Sequence, residues 1–211
     1  MTQIEIDVFS DFVCPWCFIG WRRLQAAVES FGHMDVVTRH HPYLLYPDVS
    51  AEGIDLRASL SQRYRQRPDR LFEPVEAAGR EAGIPLDFST VARVYSTVDA
   101  HTLTRHAQPK GTASAFAEGI FTAYFLEGRN IADRGVLVDS AVRHGFTNAE
   151  THALLDDARE RRHTREEAER TLKAGVRGVP LYVINSRESV SGAQAPSVFR
   201  GAIERALAAV A

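Results

Sequence analysis

Three observations predict an α/β fold ordered as βαβ, helical block, ββα. An apolar-alternating strand leads into an amphipathic stretch and a second β-rich run. A long central tract then carries helical periodicity. β-character returns only near the end, ahead of one last helix.

Taken in order, Ile4-Glu5-Ile6-Asp7-Val8-Phe9 alternates with the period of a half-buried strand. Cys14-Pro15-Trp16-Cys17 follows, with Pro15 suited to the first helical position and Cys14 to the cap. Trp21, Leu24, Val28 and Phe31 recur at helical spacing up to a stop at Gly32. The second β-stretch, from about Met34 to Leu45, can pair parallel to the first through a right-handed crossover. From Gly53 to Ala174 the signals are helical: Leu56 and Leu60, Val75 to Ala82, an aromatic cluster from Phe116 to Phe125, and Val136 to His144. The i, i+4 and i, i+5 spacing of Phe116, Ile120, Phe121, Tyr124 and Phe125 assigns that cluster to core packing rather than to a cofactor pocket. Thr147 to Glu150 fits a capping box, and the mixed charges of Asp156 to Arg170 fit a solvated helix face. Leu181-Tyr182-Val183-Ile184 and Ser189 to Ser191 read as a hairpin whose turn, near Asn185 to Glu188, lacks glycine. The terminal helix starts near Pro196 and carries Phe199, Ile203, Leu207 and Val210 on one side.

At 211 residues the chain is long enough for a large core. Its formal charge of -2 gives no electrostatic case for nucleic acid or an anionic membrane. The sequence shows no signal-peptide pattern at its start and no run long enough to span a bilayer, so the expected location is the cytoplasm. No glycine-rich phosphate loop or nucleotide fingerprint is present.

Both cysteines of the chain lie in the one Cys-Pro-Trp-Cys motif. Two cysteines so spaced at a helix start can close a disulfide or open to a dithiol without distant rearrangement. The positive end of the helix dipole favours a Cys14 thiolate, and Cys17, one turn further in, is the natural resolving thiol. Structural zinc needs four ligands, and only His33, His40 and His41 lie nearby. Adjacent strand residues point to opposite faces, so His40 and His41 cannot share one metal, and no metal is expected. A permanent disulfide across so short a loop would remove little unfolded-state entropy.

A strand, Cys14-Pro15-Trp16-Cys17, a long helical block, then Gly178-Val179-Pro180 entering a hairpin resembles the DsbA class across essentially the whole chain. Phe9-Ser10-Asp11-Phe12-Val13 ahead of the motif, the segment Ala117 to Asn130, and Val190-Ser191-Gly192-Ala193-Gln194 most resemble the FrnE-like oxidoreductases. The resemblance implies a thioredoxin-like fold with a large helical insertion between the βαβ and ββα halves. Residues 1–52 and 175–211 would form the thioredoxin-like part and 53–174 the inserted helical domain.

The resemblance also implies a cis Val179-Pro180 peptide opposite the motif, with the Val179 backbone pairing to an extended substrate segment. Cys14, Cys17 and Pro180 are then the expected catalytic residues, supported by Asp11, Pro15 and Trp16. Val13, Phe18 and Val179 would supply an apolar lip for substrate. Asp11 either manages the Cys17 proton or hydrogen-bonds the turn. Tyr46, where relatives often carry asparagine, and Tyr95, in place of a frequent Pro-Asn-Thr stretch, are expected to approach the cleft.

Thiol-disulfide exchange on a protein, peptide or small-molecule disulfide is the leading expectation. It needs no cofactor of its own; glutathione and a second copy of the chain stand as candidate partners. One rival is a glutathione-dependent isomerase or transferase of the 2-hydroxychromene-2-carboxylate isomerase type, whose members typically lack the second cysteine. The other is a redox-sensing accessory protein, which would react once rather than turn over.

Overall fold

The computed structural model describes residues 3–32 and 34–209; His33 and Val210 lie outside them. β1 (Gln3–Ser10) alternates strictly between exposed or half-buried and buried positions, as its sequence requires. It pairs parallel to β2 (Asp35–Pro42) in register from Gln3 opposite Asp35 to Ser10 opposite Pro42, after the crossover helix α1 (Pro15–Glu29). β5 (Leu181–Ile184) lies antiparallel on the other side of β1, and β6 (Glu188–Ser191) completes a sheet of order β2-β1-β5-β6.

The hairpin turn forms without glycine. Asn185 and Ser186 both adopt left-handed backbone, at φ 48 and 55, and Arg187 N–H closes the turn on the Ile184 carbonyl at 3.0 Å. Asn185 suits that conformation, and its side chain accepts from the Glu5 N–H at 2.9 Å while its own N–H donates to the Glu5 carbonyl. The turn is thereby fastened to β1.

Between β2 and β5 run α2 (Leu56–Tyr64), α3 (Pro68–Glu81), α4 (Val98–Ala107), α5 (Ala113–Phe125), α6 (Arg134–Arg143), α7 (Asn148–Asp156) and α8 (Ala158–Lys173). The Thr147–Glu150 capping box that opens α7 is formed in both directions. Two short strands, β3 (Ile54–Asp55) and β4 (Arg93–Val94), pair antiparallel and tie the ends of the α2–α3 arm together; periodicity gave no sign of them.

The charged tract of α8 is not simply a solvated face. Thr164, Ala168 and Thr171 are buried, and Glu167 reaches the His41 ring of β2 at 3.5 Å, so α8 covers the back of the sheet.

α1 and α9 (Pro196–Ala208) cover the front. Ile4, Ile6 and Val8 meet Trp21 and Leu24 from α1 and Phe199 from α9 in one buried cluster. The opposite flank of α1, through Phe18 and Ile19, enters a second and larger cluster with the helical block, where Phe18 stacks on Phe121 at 5.3 Å. The motif at the start of α1 therefore sits on the seam between two cores.

Candidate active site

The turn from β1 into α1 is closed by Cys14 N–H on the Asp11 carbonyl at 3.0 Å. Cys14 is the N-cap, with extended backbone at φ -94 and ψ 110. Pro15 occupies the first helical turn, where a missing N–H costs nothing. Both cysteines are free thiols. Cys17 is 1 % exposed, and burial first, then the adjacent Cys14 sulfur, pushes its thiol well above the ordinary range. Cys17 accordingly keeps its proton in this state.

Opposite the motif, the Val179-Pro180 peptide is cis, as the resemblance implied, and the Val179 carbonyl oxygen lies 3.9 Å from Cys14 Sγ. The loop is braced from behind. Gly192 N–H donates to the Pro180 carbonyl at 2.8 Å, and Arg23 of α1 donates to the Ala193 carbonyl at 2.7 Å. Gly20 lets α1 approach this brace closely: a Cβ there would lie 2.4 Å from the Tyr182 hydroxyl and 3.1 Å from Pro180 Cγ. Burial, then the neighbouring Cys17 and Cys14, raises the Tyr182 phenol well above its ordinary range, so it stays protonated beneath the motif.

Asp11 is fully buried, and its carboxylate accepts from Leu45 N–H at 2.7 Å, fixing the segment after β2 against the motif. Its other oxygen faces His101 Nε2 of α4 at 3.7 Å. Neither of these two atoms has a hydrogen-bond partner among the described residues. His101 lies on the buried face of α4, among Val98, Ala100, Thr102 and Leu103, and carried no signal in the sequence. Phe12 packs over its ring at 4.5 Å.

A cavity of about 440 Å³ opens beside Cys14, between the motif and the α2–α3 arm. Val13, Pro15, Trp16 and Val179 line it, as does Tyr46; Cys17 does not. Phe18 must be removed from the expected lip. It is 0 % exposed, because its position on α1 turns it into the aromatic core beneath the motif. Tyr95 likewise packs edge-on against Tyr124 at 6.4 Å instead of lining the cavity. The aromatic cluster of α5 is core as expected, yet Tyr124 and Phe125 also form part of the cavity wall. The remaining wall residues, among them Leu60, Phe72 and Phe88, come from segments far apart in sequence, which no local pattern could assemble.

A model of the DSBA-like thioredoxin domain matches residues 5–204. The chain belongs to that family. It is 27% identical over 207 residues to the uncharacterized protein YwbO of Bacillus subtilis (strain 168), covering 95% of this chain and 96% of the other. The probable DsbA oxidoreductase SCO1869 from Streptomyces coelicolor superposes with a TM-score of 0.86 at 27% identity, covering 97% of this chain and 90% of that one. The cytosolic disulfide reductase DsbM from Pseudomonas aeruginosa, with GSH, shares the fold at a TM-score of 0.66 and 20% identity, over 97% and 99% of the two chains. Family and neighbours support a redox enzyme of the DsbA type. Among the described residues, no helix is long and apolar enough to cross a membrane.

Proposed function

We propose that this DSBA-like protein is a thiol-disulfide oxidoreductase in which Cys14 is the attacking and Cys17 the resolving thiol. The observation that carries this reading is the asymmetry of the pair: Cys14 borders the cavity at the N-cap of α1, whereas Cys17 lies buried one turn in, holding its proton. Cys14 as thiolate attacks a disulfide and releases one thiolate. Cys17 then gives up its proton and attacks the Cys14 sulfur, releasing the second thiol and leaving a Cys14–Cys17 disulfide. In the reverse direction the pair oxidises a dithiol. Val179 contributes its backbone beside Cys14, Pro180 supplies no competing N–H, and Asp11 with Pro15 and Trp16 holds the turn. The reaction needs no resident cofactor, and glutathione fits as a redox partner in a reducing cytoplasm.

The test is Cys17→Ser. The variant should stop at a mixed disulfide on Cys14, trapped covalently and visible by mass spectrometry, with multiple turnover lost. Undiminished disulfide reduction by Cys17→Ser would overturn this mechanism in favour of glutathione-dependent chemistry on Cys14 alone, and a single stoichiometric reaction by the unaltered protein would favour a sensor. Equilibration in graded glutathione buffers gives the direction of flux: a potential near about -120 mV favours disulfide donation and one near about -270 mV favours reduction.

A further inference from the structure

The cavity beside Cys14 has a composition that an extended peptide would not use well. Its volume, about 440 Å³, falls within the roughly 300–1,000 Å³ typical of small-molecule sites. Its wall is dominated by aliphatic and aromatic side chains. Of its four tyrosine hydroxyls, that of Tyr124 already donates to the Arg93 carbonyl at 2.9 Å and that of Tyr46 accepts from Ser59 at 3.5 Å; Tyr43 and Tyr64 supply the other two. Apart from these hydroxyls, its arginines and the backbone of the 177–179 segment, the wall is apolar, and unpaired backbone groups of a peptide are costly to bury against it.

The charge of the lining is one-sided. Arg63 and Arg177 line the cavity, and no Asp or Glu does. Both arginines are exposed, and among the described residues neither forms an ion pair. Arg63 lies over the Tyr46 ring at 5.5 Å and the Tyr64 ring at 5.8 Å, so its guanidinium is held beside aromatic surface. A flat apolar body with one anionic group matches these features: the rings and aliphatic wall take the body, and the arginines take the charge.

We infer that the cavity is a specificity site for small aromatic disulfides and thiols bearing a carboxylate, presented to Cys14 from the α2–α3 side. This rests on the thiol-disulfide reading above and names its substrate class. With the reduced protein, Cys14 thiolate bonds to one aryl sulfur as the aryl S–S bond breaks and one arenethiolate leaves. Cys17 then loses its proton and bonds to Cys14 sulfur, the second arenethiolate leaves, and the protein pair is oxidised by two electrons as the aryl disulfide is reduced.

The experiment follows single-turnover oxidation of the reduced protein by bis(para-carboxyphenyl) disulfide, by its dimethyl ester and by hydroxyethyl disulfide. Each rate is divided by that of free dithiothreitol with the same compound, which removes the intrinsic reactivity of the disulfide. The diacid should exceed the ester by roughly tenfold or more, and the Arg63→Gln/Arg177→Gln variant should erase that ratio. Filling the cavity with Val75→Trp should lower both aryl rates relative to hydroxyethyl disulfide. An ester as fast as the diacid, or a preference that survives the double substitution, overturns the specificity site while leaving the exchange mechanism standing. Inability of all three disulfides to oxidise the pair overturns the exchange mechanism, and this inference with it.

Discussion

The two flanks of α1 are filled to different degrees. Toward the sheet, Gly20 lies so close to its neighbours that even a Cβ would collide with the Tyr182 hydroxyl, with the Ala193 Cα only 3.3 Å away. Toward the α2–α3 arm, Val13 to Trp16 border an open space of about 440 Å³. Protein interiors normally reach the density of organic crystals, so the open side is the one that calls for an occupant. The close-packed side fixes the Cys14 sulfur relative to the Val179 carbonyl; the open side leaves room for what reacts with it.

That contrast is most exposed to a pair of truncations. Phe199 is 0 % exposed and meets Tyr182 edge-on at 4.9 Å in the sheet core. Phe199→Ala should therefore cost about 3–5 kcal/mol in urea unfolding. Phe72 stacks on Phe88 at 4.4 Å but already borders the cavity, so Phe72→Ala should fall at or below about 3 kcal/mol. Equal losses would mean that the two flanks are equally well packed in solution.

A smaller effect tests the tight flank directly. Gly20→Ala should destabilise by about 1–3 kcal/mol through overpacking, and should slow disulfide exchange because the Pro180 loop must retreat from Cys14. The Tyr182 hydroxyl is buried without a hydrogen-bond partner among the described residues, so Tyr182→Phe removes an atom that is costly where it lies. In the Tyr182→Phe background, Gly20→Ala should cost less than it does alone, read from the difference in unfolding midpoints. Full additivity would show that the hydroxyl is not what Gly20 accommodates.

The tight flank was more legible in the sequence than the open one, for a physical reason. Strand alternation, the helix period after Pro15 and the terminal helix are local patterns, and they dictated which faces of β1, α1 and α9 turn inward. Cys14 and Cys17 were legible because a two-residue spacing at a helix start is itself the chemistry. Gly20 carried a signal that could have been read: a glycine inside a helix costs about 1 kcal/mol against alanine, so it marks a close approach. Phe18 was misplaced because proximity to the motif in sequence does not decide which flank of α1 a side chain occupies. The cavity, the Asp11–His101 pair and the unpaired arginines arise from segments of the helical block meeting far from their neighbours in sequence. Likewise, nothing in the charges of α8 revealed that Glu167 would be drawn against His41.

A comparison that shows only away from neutral pH sets the two faces of the sheet side by side at adjacent residues of β2. His40 turns toward α1 and α5, beside the Trp21 ring and 3.1 Å from the Ser114 hydroxyl. Burial, then repulsion from His101 and His41, lowers its pKa to about 3. His41 turns toward α8, stacked on Phe9, with Asp7 at 2.7 Å and Glu167 at 3.5 Å. Burial opposes its charge, but the two carboxylates outweigh it and raise its pKa. A histidine with a lowered pKa contributes fully above about pH 6.5, its unfolded value, and its contribution is lost as pH falls toward 3. A histidine with a raised pKa contributes fully below about pH 6.5 and loses its contribution as pH climbs through the folded value. His40→Gln should therefore flatten the acid limb of a stability–pH profile, which for one such proton falls by at most about 1.4 kcal/mol per pH unit. His41→Gln should destabilise more at about pH 6 than at about pH 9, since the ion pair it removes exists only while the ring is charged. Thermal unfolding from about pH 3 to about pH 9 checks both. If His41→Gln costs the same at either pH, the ring is held by its stacking on Phe9 rather than by charge.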